Sequence, residues 1–86
     1  MDKHIDITRC LNAFATLLQK GERSEKGYYY QGLWADSTDD GYTVRIFDQQ
    51  CELTIYFHNK HQLSAPDGRT MDRFIKAIYS VADASH

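Results

Sequence analysis

Residues 42–58 constrain the fold of this chain most, because they alternate apolar and polar side chains in two short runs. The apolar members are Tyr42, Val44 and Ile46 in the first run and Cys51, Leu53, Ile55 and Phe57 in the second. A period of two in β-branched and aromatic residues is typical of strands with one face on a core. The polar segment 48–50 is short enough to reverse the chain, so residues 42–58 predict a β-hairpin.

Helical periodicity flanks this hairpin on both sides. Apolar residues recur at three- and four-residue steps from about residue 5 to residue 20, and again from about residue 66 to residue 82. Asp6 fits the N-cap of the first helix, and Gly21 fits its end. Ser64 and Asp67 have the spacing of a capping box before the second helix. Two amphipathic helices are therefore predicted, each with one apolar stripe on a core.

Residues 28–34 predict one further strand, since a lone hairpin is only marginally stable in water. We expect Tyr28, Tyr30 and Trp34 to face the core, because the opposite phase would bury the amide of Gln31. The predicted fold class is α+β. It is a two-layer α-β-β-β-α domain with a three-stranded antiparallel meander and both helices on one face.

Length and charge limit the possible classes of protein. A chain of 86 residues has room for one core, so we expect a single domain spanning 1–86, with loose ends at about 1–4 and 83–86. A hydrophobic share of 42% fits a compact protein. The net charge of −2 disfavours wholesale electrostatic binding to DNA or to anionic membranes. With no secretory or membrane-spanning stretch, we expect a cytoplasmic protein, and its small size suggests a bacterial one.

Metal, redox and catalytic motifs are not evident in the sequence. Cys10 and Cys51 fall on the apolar sides of their predicted elements, so we expect small buried hydrophobic residues and no disulfide. His58 and His61 have no evident third ligand for a metal. Segment 36–41, DSTDDG, resembles the start of a calcium loop, but an aromatic residue occupies the twelfth position. With no phosphate loop or nucleophile elbow either, we predict a non-enzymatic protein without cofactors.

The predicted sheet leaves one face uncovered by helices, and this open face carries the main functional hypothesis. Its outward side chains would include Tyr29, Leu33, Arg45, Phe47, Tyr56 and His58. Exposed aromatic residues can bind a protein, stack nucleic-acid bases, or simply stabilise the sheet through cross-strand pairs. Arg45 is the only lysine or arginine within the predicted strands, which favours protein contact over nucleic acid. We therefore predict a protein-binding domain, most simply a homodimer.

Two alternative functions stay open. The predicted order helix–strand–strand–strand–helix resembles that of double-stranded-RNA-binding domains, and this resemblance implies a nucleic-acid-binding module. Such domains place a lysine cluster at the start of the second helix, where residues 65–73 here read APDGRTMDR, with two arginines offset by two aspartates. The acidic segment 36–41 suggests instead an inhibitor or regulator of a basic partner.

Overall fold

The computed structural model describes residues 5–38, 41–56 and 60–84. In chain order its elements are α1 (Ile7–Lys20), β1 (Glu22–Ser24), β2 (Gly27–Tyr30), β3 (Leu33–Ser37), β4 (Thr43–Phe47), β5 (Glu52–Tyr56), β6 (His61–Ser64) and α2 (Gly68–Asp83). The strands form one antiparallel sheet whose order follows the chain. The predicted α+β class, meander and flanking helices are confirmed, with six strands in place of three. The element order therefore differs from that of double-stranded-RNA-binding domains.

The predicted first strand, residues 28–34, is in fact most of a hairpin. Gln31 and Gly32 have φ angles of 51° and 86°, and Tyr30 pairs with Leu33 across them. Positive φ at both central residues is the signature of the type I′ turns that connect antiparallel strands. Beyond this turn, the alternation of core-facing and outward-facing side chains is shifted by one residue, so Leu33 faces the core and Trp34 faces outward. Tyr30 packs against the core as predicted, but the phase predicted for Trp34 was wrong.

Two polar segments that were predicted as connections form the edge strands of the sheet. β1 pairs Glu22 with Tyr29, and β6 pairs Leu63 with Leu53. The predicted capping box was wrong, because Ser64 ends β6. Asp67 alone caps α2, and its carboxylate accepts the backbone N–H of Thr70 at 2.7 Å.

Both helices cover the same face of the sheet and meet its apolar side chains in one core. The buried members are Cys10, Ala13 and Leu17 of α1; Leu33, Ala35, Ile46, Cys51, Leu53 and Ile55 from the sheet and its turns; and Phe74, Ile78, Val81 and Ala82 of α2. Tyr42 was predicted to face this core, but it precedes β4 and is exposed. Within the described residues, neither helix has the length and apolar character of a membrane span.

The two cysteines are buried free thiols in this core, which confirms their predicted role as small hydrophobic residues. Burial raises the pKa of Cys10 to about 11, and it raises the pKa of Cys51 above its ordinary value. A thiol that stays protonated is a poor nucleophile. Both side chains pack as small apolar groups in the core, where burial favours the protonated thiol.

Candidate binding surface on the open sheet face

Three aromatic side chains from three neighbouring strands lie in line on the open face. Tyr29 of β2 pairs with Trp34 of β3, and Trp34 pairs with Phe47 of β4. The ring centroids of Tyr29 and Trp34 are 4.8 Å apart with a tilt of 55°, and those of Trp34 and Phe47 are 6.0 Å apart and nearly parallel at 14°. Offset and tilted ring pairs of this kind are attractive. We call these three residues the aromatic row.

Arg45 lies beside the aromatic row and is held by two carboxylates. Its Nε donates to Asp36 Oδ1 at 2.8 Å, its Nη2 donates to Asp36 Oδ2, and its Nη1 lies 3.5 Å from Glu52 Oε1. These contacts, first of all the hydrogen bonds to Asp36, raise the pKa of Arg45 further above its ordinary value. The arginine charge is therefore balanced within the sheet.

Cations of the chain also lie over the rings of the aromatic row. The Lys26 ammonium is 5.3 Å from the ring centroid of Trp34, and the Arg45 guanidinium carbon is 5.0 Å from that of Phe47. An aromatic face attracts cations at such distances through its quadrupole. The open face thus combines exposed ring surface with charges of both signs.

The structure places four of the six residues predicted for the contact surface on the open face. They are Tyr29, Arg45, Phe47 and Tyr56. Tyr29 and Tyr56 are 41% and 40% exposed, and the Tyr56 hydroxyl lies 3.3 Å from Gln62 Oε1. The prediction was wrong for Leu33, which is 2% exposed and belongs to the core. His58 lies outside the described residues.

The sequence prediction missed Trp34, the central residue of the aromatic row. The signal that identifies it is the Gln31-Gly32 pair, since a two-residue turn there sends Trp34 outward together with Tyr29. Asp36 was likewise assigned to an acidic turn, whereas it lies in β3 and binds Arg45. Residues 39–40 of that acidic segment lie outside the described residues.

A groove of about 270 Å³ opens at one end of the aromatic row, between the β2–β3 turn and the β4–β5 turn. It is lined by Tyr29, Gly32, Trp34, Asp48, Gln49 and Gln50. Asp48 stabilises the β4–β5 turn, because its Oδ1 accepts the backbone N–H groups of Gln50 and Cys51, both at 2.7 Å. The groove is therefore lined by two aromatic rings and by the polar residues of a turn that the Asp48 carboxylate stabilises.

The described part of the chain contains no cluster of the side chains that usually bind metal ions. No group of three or more histidine, cysteine, aspartate or glutamate side chains comes together there. His61 lies exposed in β6, and His58, for which the sequence showed no third metal ligand either, falls outside the described residues.

Comparison with known proteins identifies a family but no function. Residues 5–86 match the model of a family described as "Protein of unknown function (DUF3081)", and the chain belongs to that family. No curated protein and no solved structure matches the chain.

Proposed function

We propose that this chain, as a member of the DUF3081 family, is a non-enzymatic protein-binding domain whose contact surface is the open face of its sheet. The observation that carries this proposal is the aromatic row, in which rings from three adjacent strands meet on the face opposite α1 and α2, the two helices of the described residues. Aromatic residues and arginine are enriched where proteins touch. We propose that this contact takes place in the cytoplasm, which is the location predicted from the sequence.

The plainest form of this contact is a homodimer through the open face. Two copies related by a two-fold axis present the same patch to each other, so the patch must be self-complementary. Lys26 and Arg45 on this face are matched by Asp36 and Glu52, so these four side chains carry no net charge that would repel a second copy. The exposed rings of Tyr29 and Tyr56 supply apolar area on either side of these charges.

A double variant tests the homodimer. Phe47→Glu together with Tyr56→Glu places two carboxylates on the open face without touching the core beneath the helices. If the face is the interface, the mass measured by light scattering should fall by half, while the circular dichroism spectrum keeps its shape. Leu11→Glu is the matched control, since Leu11 is an exposed hydrophobic residue of α1 and should leave the dimer intact.

Two results would contradict the homodimer. One is a monomeric mass for the unmutated protein at high concentration. The other is a double variant that stays dimeric while the Leu11→Glu control dissociates, because the contact would then belong to the helices.

Nucleic-acid binding is the alternative that the same face allows, because exposed rings can stack bases. The pairing of Arg45 with Asp36 and Glu52 speaks against it, since phosphates need cations that are not already balanced. Titration of labelled single strands and duplex RNA at two salt concentrations separates the two functions. An affinity that falls steeply with salt would favour nucleic acid, and a lack of binding would remove this alternative.

A further inference from the structure

The groove at the end of the aromatic row has the composition of a site for a flat cation. Tyr29 and Trp34 form two walls tilted by 55°, and Asp48 contributes the single charged side chain of its lining. Gln49 and Gln50 add amide oxygens, and neither lysine nor arginine lines the groove. A cation that enters would meet the rings of Tyr29 and Trp34 and one carboxylate, and the nearby Lys26 ammonium, 5.3 Å from the Trp34 ring centroid, lies outside the lining.

The carboxylate of Asp48 keeps one oxygen available for a ligand. Oδ1 accepts two backbone N–H groups, whereas Oδ2 accepts no hydrogen bond from residues 5–38, 41–56 or 60–84. A guanidinium group carries five N–H donors in one plane, so it can lie flat on a ring and still donate to a carboxylate at its edge. An ammonium group has no such plane.

Two rings of the aromatic row already have a cation of the chain over them, and one of these rings, Trp34, lines the groove. Lys26 lies over Trp34 and Arg45 lies over Phe47, at 5.3 Å and 5.0 Å from the ring centroids. Neither of the two cations lines the groove. The groove volume of about 270 Å³ lies below the roughly 300–1,000 Å³ of pockets for small-molecule ligands, so it suits one side chain.

We propose that the groove binds an arginine side chain presented by a partner protein. The inference rests on the proposed function in one respect, namely that the groove is part of the open face on which protein contact occurs. It adds the chemistry of the partner, a guanidinium group that stacks on Tyr29 and Trp34 and donates to Asp48.

Trp34 makes the proposal directly measurable, because it is the only tryptophan of the chain. The probes are three capped tripeptides, acetyl-Gly-X-Gly-amide with X as arginine, lysine or glutamine, titrated while tryptophan fluorescence is recorded. The arginine peptide should change the fluorescence in a saturable way, the lysine peptide should bind several-fold more weakly, and the glutamine peptide should not bind. Equal binding of the glutamine peptide would overturn the proposal, and equal binding of the lysine peptide would overturn the choice of arginine.

Three variants separate the groove from its surroundings. Asp48→Asn keeps an Oδ1 acceptor for the turn but removes the charge, and should weaken the arginine peptide by about twofold or more. Tyr29→Leu removes one wall and should weaken it about two- to fivefold. Lys26→Gln removes a cation next to the same Trp34 ring but outside the groove, so binding should be equal or tighter. Unchanged affinity in both Asp48→Asn and Tyr29→Leu would overturn the proposal.

Tyr56→Glu distinguishes failure of this inference from failure of the proposed function. Tyr56 lies at the opposite end of β5 from the groove, so this variant should disturb a face-to-face contact but keep peptide binding. If Tyr56→Glu lowers the mass of the assembly while the unmutated protein still ignores the arginine peptide, only the groove assignment fails. If the peptide binds a protein that is monomeric throughout, only the homodimer fails.

Discussion

Arg45 on β4 and Asp36 on β3 are paired in register, and the guanidinium group and the carboxylate form a bidentate ion pair. Glu52 on β5 adds a longer contact from the other side at 3.5 Å. The side chains of Arg45 and Asp36 are 40% and 29% exposed, so water screens their attraction in part. Arg45, Asp36 and Glu52 together thus link three strands with a modest gain in stability, and they balance the arginine charge beside the aromatic row.

Asp36→Asn should lower the free energy of unfolding by about 0.5–1 kcal/mol, because it removes the charge but keeps the shape of the side chain. The loss should shrink in 1 M salt, where surface charges are screened. Urea denaturation at low and high salt measures both effects. Glu52→Gln is the matched control and should cost less, since its contact is longer and the residue is more exposed. A larger loss in Glu52→Gln would contradict this ranking.

The end of α1 lies so close to β2 that residue 21 has no room for a side chain. A Cβ on Gly21 would be 2.4 Å from the carbonyl oxygen of Leu17 and 2.9 Å from that of Tyr29. The backbone angles of Gly21, φ −78° and ψ 158°, are open to any residue, so space alone requires glycine here. Gly21→Ala should lower the free energy of unfolding by about 1–3 kcal/mol, as measured by chemical denaturation.

Gly68→Ala provides the control for this substitution. Gly68 begins α2, and a Cβ built on it meets no described atom within 4 Å beyond its chain neighbours and the backbone of its own helical turn. Alanine at this position should leave stability unchanged or raise it by up to about 1 kcal/mol, because it restricts the unfolded chain. Equal effects of the two substitutions would show that the α1–β2 approach is looser than the backbone distances imply.

The helices and the central hairpin could be predicted because their apolar residues recur with a regular period over many residues and lie on one face of each element. In β4 and β5 every second residue is apolar, and the structure pairs Val44 with Ile55 and Ile46 with Leu53 on the core side. α1 shows its apolar stripe over several turns and begins directly after Asp6, the predicted cap. A strong period on one buried face determines both the type of element and its orientation.

The other strands of the sheet could not be predicted, because their sequence patterns are short or do not distinguish one face of the strand from the other. Tyrosines 28–30 present aromatic rings to both faces, so they give no phase. β1 and β6 are edge strands of three and four mostly exposed residues, and exposed polar strands resemble loops in sequence. Trp34 was misplaced because residues 28–34 were treated as one continuous strand whose phase kept Gln31 out of the core, and the turn at Gln31 and Gly32 was not recognised.

Gln31→Asn should stabilise this turn. Gln31 adopts a left-handed φ of 51°, which costs a residue other than glycine roughly 1–2 kcal/mol and costs asparagine less. Asn-Gly is also the preferred pair in type I′ turns. We expect the free energy of unfolding to rise by about 0.5–1 kcal/mol in urea denaturation. Gly32→Ala should lower the free energy of unfolding, because Gly32 has a φ of 86°, which favours glycine. The loss should come from the backbone conformation alone, since a Cβ at this position would have open space around it. A fall in stability for Gln31→Asn would contradict this account of the turn.

The N-cap of α2 should make stability depend on pH through Asp67. The pKa of Asp67 lies below its ordinary value of 3.8, first because the backbone N–H of Thr70 donates to its carboxylate. The folded state thus favours the charged form. The stabilisation is complete at pH values well above 3.8, and it is lost as the pH falls through the lower pKa of the folded state.

Asp67→Asn isolates this contribution, because asparagine retains an acceptor oxygen for the cap but carries no charge. A negative charge at the first turn favours the helix, so the unmutated protein should melt at a higher temperature than the variant at pH 7. The difference in melting temperature should shrink as the pH falls below about 4. Ser64→Ala is the control, since Ser64 lies in β6 and should not affect the helix end. A difference that stays constant or grows toward low pH would show that the charge of Asp67 does not stabilise α2.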